Sequence, residues 1–387
     1  MVLLALLPVA SDGVAQVLDL HIGPLVGPPE VIGRGGATTG FGEGAAAMGF
    51  TPVAAVQRPH HQRWSRTSAG VGFNVLRSQR AGGREVDLLN DGSSLDGTDR
   101  LEAIFLSVAV QHRRSGFGLH ALGQELTICG DDRACERREA LRKSGNRAGL
   151  VYGHAFLGGD LLLATELTIE SFAMRADNRR VNYEGATISL GALYRPESRP
   201  WRIGLLLRPP RRLELESGGA DADVFAFVPD GAHGPWELVV GGVLSLGPRP
   251  LNPRVEFRGV PRMERPDQAE LPRRYLLVLL DLGLVEGGRR DGTSVRAFAV
   301  DSPPESSRRV RAFHRFGLEG EPWANRLRLR GGSYWEPGRF EGVSGRLHGT
   351  VGADVRLFRW LVDWRLSAAL DMARQYHNTV VSVGFWN

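Results

Sequence analysis

Alternation of apolar and polar residues with a period of two constrains this 387-residue chain more than any other feature. From Leu161 to Ile169 the odd positions carry mostly leucine and isoleucine, whereas Glu166 and Glu170 occupy even positions. Successive side chains of a β-strand point to opposite faces, so this pattern predicts a strand with one apolar and one polar face. Residues 361–372 keep the alternation over about twelve positions, which is near the length of a tilted membrane strand.

The same alternation recurs through most of the chain and predicts an all-β fold. Apolar runs with a helical period are scarce, because the 50 glycines and 22 prolines interrupt them. No stretch approaches the roughly 20 apolar residues of a membrane-spanning helix. The predicted strands are 67–80, 98–112, 115–128, 145–157, 159–174, 182–194, 200–217, 234–247, 273–286, 292–300, 308–318, 325–335, 345–358, 360–372 and 376–386. Single-chain bacterial barrels have an even strand number, so we expect a transmembrane antiparallel β-barrel of about 14 strands.

Polar segments rich in glycine and proline separate the predicted strands. The longest are 82–97, 129–145, 218–232, 248–272 and 301–307. Barrels of this kind alternate long outer loops with short periplasmic turns, which favours these segments as loops.

The positive charge of the chain does not indicate a nucleic-acid partner. The formal net charge is +5 and the isoelectric point is near 9.7. Nearly all the cations are arginines, with Lys143 the single lysine, and they are scattered instead of gathered on one helix or arm.

The N-terminus and the two cysteines suggest export. Residues 1–15 hold a short apolar run followed by small residues, which predicts a signal peptide, truncated at its basic end. A buried N-terminal strand is the alternative. Cys129 and Cys135 flank a polar loop and are expected to form a disulfide in an exported chain, or to remain free thiols in the cytosol.

No motif for catalysis, metal binding or cofactor binding is complete. The glycine clusters 33–36 and 40–44 do not match the Walker A pattern and precede no βαβ unit. His60-His61 lacks further ligands for a metal, and Asp301-Ser302 lies outside any Gly-x-Ser-x-Gly elbow. We therefore expect no metal and no cofactor, and we do not expect an enzyme.

Residues 32–52, which include Gly33-Arg34-Gly35-Gly36 and Thr51-Pro52-Val53, resemble the N-terminal signature of the long-chain fatty-acid transporter (FadL-like) barrels. The family has Asn-Pro-Ala where this chain has Thr51-Pro52-Val53. Shorter similarities lie at 200–205, 235–238 and 329–337.

The resemblance implies a bacterial outer-membrane barrel, 66–387, closed by an N-terminal plug, 16–65. Such a barrel admits hydrophobic small molecules, for example long-chain fatty acids, by passive uptake. Its partners would be that ligand and outer-membrane lipid, and it would act as a monomer. The plug residues expected from the resemblance are Gly33, Gly35, Gly36, Phe41, Phe50 and Pro52.

Charged residues on the polar strand faces are candidates for the barrel lumen. Arginine at 326, 328 and 330 shares one face, and its planar guanidinium is suited to a ligand carboxylate. Luminal charges also commonly pair with one another, which is the competing interpretation. The candidate luminal residues are Arg326, Arg328, Arg330, Glu166, Glu170, Asp363 and Arg365, with Asp371 as a further possible partner.

Three other functions fit parts of the pattern. An outer-membrane scaffold or secretion-associated barrel would show the same strands and would be recognised by its partner. An outer-membrane hydrolase would need a triad assembled from separate strands. A soluble all-β protein also alternates, but too many segments have an apolar face for the remaining chain to cover.

Overall fold

The structure is a computed structural model that describes a large part of the chain. The described residues are 17–20, 24–59, 62–77, 87, 90, 100–128, 141–176, 179–216, 228–261, 274–289, 292–293, 306–360 and 362–385. The predicted signal peptide 1–15, the pair Cys129 and Cys135, and Trp386 lie outside these residues.

Helices are few and short among the described residues. The α-helix α1 spans Pro29–Ile32, and proline is favoured at this first helical position because its missing N–H would have no partner there. Single 3₁₀ turns span Ala45–Ala47, Pro52–Ala55 and Leu157–Gly159. None of the described helices is long and apolar enough to cross a membrane.

Eighteen β-segments make up a single sheet. In chain order they are β1 (Val17–Asp19), β2 (Thr67–Arg77), β3 (Arg100–His112), β4 (Ser115–Ile128), β5 (Leu141–Phe156), β6 (Leu161–Ala176), β7 (Arg179–Tyr194), β8 (Trp201–Arg208), β9 (Arg211–Leu215), β10 (Gly231–Gly234), β11 (Glu237–Leu246), β12 (Leu276–Val285), β13 (Gly292–Thr293), β14 (Arg311–Trp323), β15 (Leu327–Glu336), β16 (Arg346–Trp360), β17 (Val362–Ala373) and β18 (Tyr376–Phe385).

These segments form a closed antiparallel barrel of 14 strands, which confirms the predicted fold. Sequential neighbours pair, and β18 returns to pair with β2. Segments β8 and β9 continue one strand across Pro209-Pro210, and β10 and β11 continue the next across Pro235. Proline cannot donate to the strand ladder, which explains both interruptions. Segment β1 lies parallel to β10 and β13 at one end of the barrel.

Several predicted boundaries need correction. The predicted strand 200–217 is divided at Pro209-Pro210 into β8 and β9. The predicted loop 129–145 ends early, because β5 begins at Leu141. Of the predicted strand 292–300, only residues 292–293 are described.

The apolar strand faces point outward and the polar faces point inward. On β6, Leu163, Leu167 and Ile169 are 42%, 45% and 61% exposed, whereas Glu166 and Thr168 are fully buried. A soluble sandwich buries its apolar face, so this arrangement is the reverse of the soluble alternative. An apolar exterior around a polar interior is the arrangement of a barrel surrounded by lipid.

The N-terminal segment 24–59 lies inside the ring of strands. Helix α1 packs against β16 and β17, the turn Ala45–Ala47 against β2 and β3, and the turn Pro52–Ala55 against β5, β6 and β7. These strands stand on different sides of the barrel, so the segment crosses its interior. Whether it also acts as a plug during transport stays a prediction.

Candidate functional site

A cavity of about 240 Å³ lies between the N-terminal segment and the barrel wall. The segment contributes Leu25, Val26 and Phe50, and the wall contributes Leu122 and Phe313 among its apolar residues. Ligand sites in proteins are mostly apolar with a few placed polar groups. We call this space the upper cavity, and Phe50 is the predicted plug residue that borders it.

Four arginines face the upper cavity, and two glutamates hold three of them. Arg208 donates to Glu237 at 2.6 Å, and Arg315 donates to the other oxygen of Glu237 at 3.2 Å. Arg211 donates to the predicted luminal residue Glu170 at 2.6 Å. Arg208 also donates to the carbonyl oxygen of Phe50 at 2.7 Å, so it ties the segment to the wall.

The fourth guanidinium, that of Arg147, is the most loosely held. Its contact with Glu166 is 3.4 Å long, and its buried Nε has no hydrogen-bond partner. Glu166 is already engaged by His120 at 2.9 Å and by the hydroxyl of Thr168 at 2.8 Å. Arg147 lines the cavity and its side chain is 19% exposed, so its terminal N–H groups suit an anionic or polar group of a ligand.

The three arginines of the predicted face at 326–330 lie in different environments. Arg326 is exposed in the turn before β15. Arg328 and Arg330 point inward, and Arg328 contacts Glu321 at 3.4 Å. The competing interpretation, in which luminal charges pair with one another, agrees with these contacts.

Arg330 pairs with two carboxylates that the sequence analysis did not select. It donates twice to Asp354, at 2.7 and 2.8 Å, and once to Glu319 at 2.7 Å. Glu319 also accepts from Arg34 of the segment at 3.3 Å. The expected partners Glu166 and Glu170 instead bind arginines near the upper cavity.

The remaining predicted charges on β17 have separate partners. Arg365 donates to Glu30 of α1 at 2.7 Å, which anchors the segment to the wall. Asp363 accepts from Arg356 at 2.5 Å. Asp371 is fully buried and accepts from Tyr334 at 2.6 Å, while His348 lies 2.8 Å from its other oxygen.

Glycines let the backbone of the segment approach the wall. Gly35 has φ +61°, and a Cβ at this position would lie 2.6 Å from the carbonyl oxygen of Phe316. A Cβ on Gly40 would lie 2.8 Å from the backbone of Gly242 in β11. Neither position accommodates a side chain without a shift of the backbone.

The other predicted plug residues make contacts of their own. Gly33 lies against Gly352, and Gly36, at φ +77°, lies against the side chain of Leu25. Pro52 packs on Gly191 of β7. The ring of Phe41 lies 4.6 Å below the guanidinium of Arg34.

Two buried wall residues that the sequence analysis missed hold the segment most directly. Asp281 accepts the backbone N–H groups of Thr38 and Thr39, both at 3.0 Å. Arg202 donates to the carbonyl oxygen of Phe41 at 2.9 Å. Asp281 could have been selected from the sequence, because it is an isolated carboxylate at an inward position at the end of the densest apolar run.

Glu43 of the segment forms an ion pair with Arg202 at 2.8 Å. Burial alone would raise the pKa of this carboxyl, but the charges of Arg202 and Arg249 outweigh burial and hold the pKa below its usual value of 4.5. Glu43 is therefore an anion at neutral pH and contributes to docking of the segment.

The strand topology and the exposure of the strand faces define a closed 14-stranded β-barrel with an apolar exterior. Two solved structures share this fold. The CymD monoaromatic hydrocarbon channel has 13% sequence identity and a TM-score of 0.55, and the similarity covers 94% of this chain and 98% of that chain. A mutant of the TodX monoaromatic hydrocarbon channel has 11% identity and a TM-score of 0.53, with coverage of 92% and 98%.

Sequence comparison does not assign the chain to a family. No family model matches the chain. No curated protein matches it either. At these identities the two structural similarities establish the fold.

Proposed function

We propose that the protein is an outer-membrane channel for passive uptake of hydrophobic small molecules, in the manner of the long-chain fatty-acid transporter family. The observation that carries the proposal is the upper cavity, a space between the segment and the barrel that is lined by apolar side chains on both sides and by arginines of the wall. Both structures reported above are named as monoaromatic hydrocarbon channels. Residues 16–65 serve as the plug and residues 66–387 as the barrel.

The exterior supports the outer membrane as the location. Outward residues such as Leu119, Leu282 and Leu347 are 61%, 56% and 56% exposed on different strands. Exposed apolar surface of this extent is unfavourable in water and favourable against lipid chains. The barrel acts as a monomer in contact with outer-membrane lipid, and export uses the N-terminal signal.

The size of the cavity constrains the ligand. An apolar cavity of about 150 Å³ is enough to bind benzene. The upper cavity of about 240 Å³ thus holds a single-ring aromatic compound or the head and first carbons of a fatty acid. Arg147 then favours ligands that carry a carboxylate over those that do not.

Uptake by cells tests the proposal. The chain is expressed in a Gram-negative host, and accumulation of radiolabelled toluene and of radiolabelled decanoate is compared with that of cells without it. The variant Leu122→Trp fills the upper cavity, whereas Leu119→Trp places the same side chain on the outer face of the same strand. We expect uptake to increase with the native chain and with Leu119→Trp, and not with Leu122→Trp. Equal uptake by cells with and without the native chain would refute the proposal.

A further inference from the structure

Glu336, the last residue of β15, is a buried carboxylate at the border of the upper cavity. Its side chain is 2% exposed. Its Oε2 accepts a hydrogen bond from Nε of Arg346 and lies 2.8 Å from Nε2 of His348. Its Oε1 has no hydrogen-bond partner among the described residues. A buried carboxylate oxygen without a donor is unfavourable, so a donor from the cavity would stabilise it.

The side chains next to Glu336 are engaged elsewhere. Nη1 of Arg346 donates to the carbonyl oxygen of Asp87 at 2.6 Å. Nη2 of Arg346 makes no hydrogen bond within the described part of the chain, so it does not pair with Oε1. His348 lies between two carboxylates, with Nδ1 2.8 Å from Asp371 and Nε2 2.8 Å from Oε2 of Glu336. The wall therefore fixes Glu336 through Oε2 and leaves Oε1 as an acceptor.

Glu336 and Arg147 stand on opposite sides of the barrel. Arg147 lies on β5 and Glu336 on β15. In the closed ring they are separated by β6, β7, β8/β9, β10/β11, β12 and β14 in one direction, and by β4, β3, β2, β18, β17 and β16 in the other. Equal separation in both directions places the two side chains across the lumen from each other. Both border the upper cavity, so one ligand can contact both.

Apolar side chains also border this cavity. The wall supplies Leu122 and Phe313, and the segment supplies Leu25, Val26 and Phe50. An aromatic ring gains free energy when it is buried against such side chains. The combination matches a ligand with an anionic group at one end, an aromatic body and a hydrogen-bond donor at the other end.

We propose that the upper cavity selects single-ring aromatic carboxylates that carry a hydroxyl group at the end opposite the carboxylate. The carboxylate binds Arg147, and the hydroxyl donates to Oε1 of Glu336. The proposal rests on the proposed function and names the ligand class of the same cavity. A phenolic hydroxyl has a pKa of about 10, so it keeps its proton at neutral pH and can donate to a carboxylate. An ammonium group would instead bring a further charge into an interior where Glu336 is already paired with Arg346.

Calorimetric titration of the purified native chain in detergent tests the site. The ligands are para-hydroxybenzoate, para-hydroxyphenylacetate and para-hydroxyphenylpropanoate, which differ in the distance from the carboxylate to the hydroxyl. Each is compared with its para-fluoro analogue, because fluorine is similar in size to a hydroxyl but has no proton to donate. We expect at least one hydroxy acid to bind about tenfold more tightly than its analogue, or better. Equal affinities within all three pairs, or no binding of any of these acids, would overturn the proposal.

Two glutamine variants locate the preference. Glu336→Gln keeps one oxygen for Arg346 and His348 and replaces the other by an amide N–H₂ group, which cannot accept the hydroxyl proton. We expect the preference for the hydroxy acid to fall to about threefold or less, while the affinity for the fluoro analogue stays unchanged. Glu321→Gln makes the same change at a buried carboxylate outside the cavity and should keep the native preference.

A native preference in Glu336→Gln, or an equal loss in both variants, would contradict the role of Glu336. The comparison of ligands on the native chain decides the proposal even if Glu336→Gln does not fold. Arg147→Gln tests the other end of the ligand, and it is expected to weaken both members of a pair equally. Native affinity of Arg147→Gln for both members would overturn the proposed orientation of the ligand.

Uptake by cells separates failure of the site from failure of the proposed function. Toluene has neither polar group, so its accumulation measures the channel without reference to Glu336. Uptake of toluene together with equal affinities for hydroxy and fluoro acids overturns the proposed site and leaves the channel function intact. A clear hydroxyl preference without uptake of toluene or decanoate overturns the channel function and leaves Glu336 as part of a binding site.

Discussion

Replacement of Asp281 by alanine is expected to release the N-terminal segment from the barrel wall. The carboxylate is 1% exposed and accepts the N–H groups of Thr38 and Thr39, each at 3.0 Å. A buried N–H without a partner costs about 1–3 kcal/mol, so two of them weaken docking by roughly 2–6 kcal/mol. About 1.4 kcal/mol corresponds to a tenfold change in an equilibrium constant. Even the lower value therefore shifts the equilibrium between the docked and the displaced segment towards the displaced form by about 30-fold.

Two further variants separate the hydrogen bonds from other effects of this change. Asp281→Asn keeps an oxygen acceptor for both N–H groups and loses the charge, so its effect is expected to lie between those of the native residue and alanine. Glu321→Ala removes a buried carboxylate that contacts Arg328 within the wall, and serves as the matched control.

Conductance in planar bilayers and thermolysin cleavage within residues 29–59 report the position of the segment. Asp281→Ala is expected to show frequent open-channel events and rapid cleavage, whereas Glu321→Ala behaves as the native protein. If Asp281→Ala conducts and resists cleavage as the native protein does, Asp281 does not hold the segment and the assignment of these hydrogen bonds is wrong.

Three more changes test other contacts of the interior. Arg330→Met removes both short hydrogen bonds to buried Asp354 and one of those to buried Glu319. It is expected to lower the free energy of unfolding by about 3–5 kcal/mol, whereas Arg326→Met in the exposed turn changes it by less than about 0.5 kcal/mol, as urea unfolding in detergent will show. Arg147→Gln is expected to weaken binding of decanoate and leave binding of toluene unchanged in calorimetric titrations; equal losses for both ligands would contradict the assigned role. The folded pKa of Glu43 lies below its unfolded value, so its pairing with Arg202 stabilises docking above pH 4.5. This stabilisation is lost as pH falls through the folded pKa. Glu43→Gln should therefore remove the acid-dependent part of the thermolysin sensitivity.

The strands and their facing could be predicted because alternation is a local property of the chain. On β6, Glu166 and Glu170 were assigned to the face opposite Leu163 and Leu167, and this assignment is confirmed. The register of the strands, their ends and the closure of the barrel depend instead on contacts with neighbouring strands. The double proline at 209–210 signals an interruption that the prediction of a single strand 200–217 overlooked.

The partners of the luminal charges could not be predicted, because they depend on distant parts of the chain. Arg330 pairs with Asp354, which is 24 positions away, and Arg365 pairs with Glu30, which is 335 positions away. Residue type identifies a charge that needs a partner in the interior. It does not select among the many inward carboxylates that a barrel of 14 strands brings within reach.

The interior contacts also imply that the segment and the barrel wall differ in stability. Neighbouring strands share long ladders, such as the pairing of β6 with β7 from Leu161 to Ala176. The segment packs through small side chains, among them Ala47 and Ala54, which bury little apolar area each. Its docking therefore depends on a few directional contacts, above all those of Asp281, and these break together once one end is displaced.

Unfolding is consequently expected in two steps, with the segment released before the wall. Hydrogen exchange in increasing urea measures this order, because amides that open locally exchange at lower denaturant than those that require global unfolding. The amides of Thr38 and Thr39 should lose protection well before those in the centre of β6. Simultaneous loss of protection in both regions would mean that the segment is an integral part of the barrel core, and would remove the physical basis for a plug that moves during uptake.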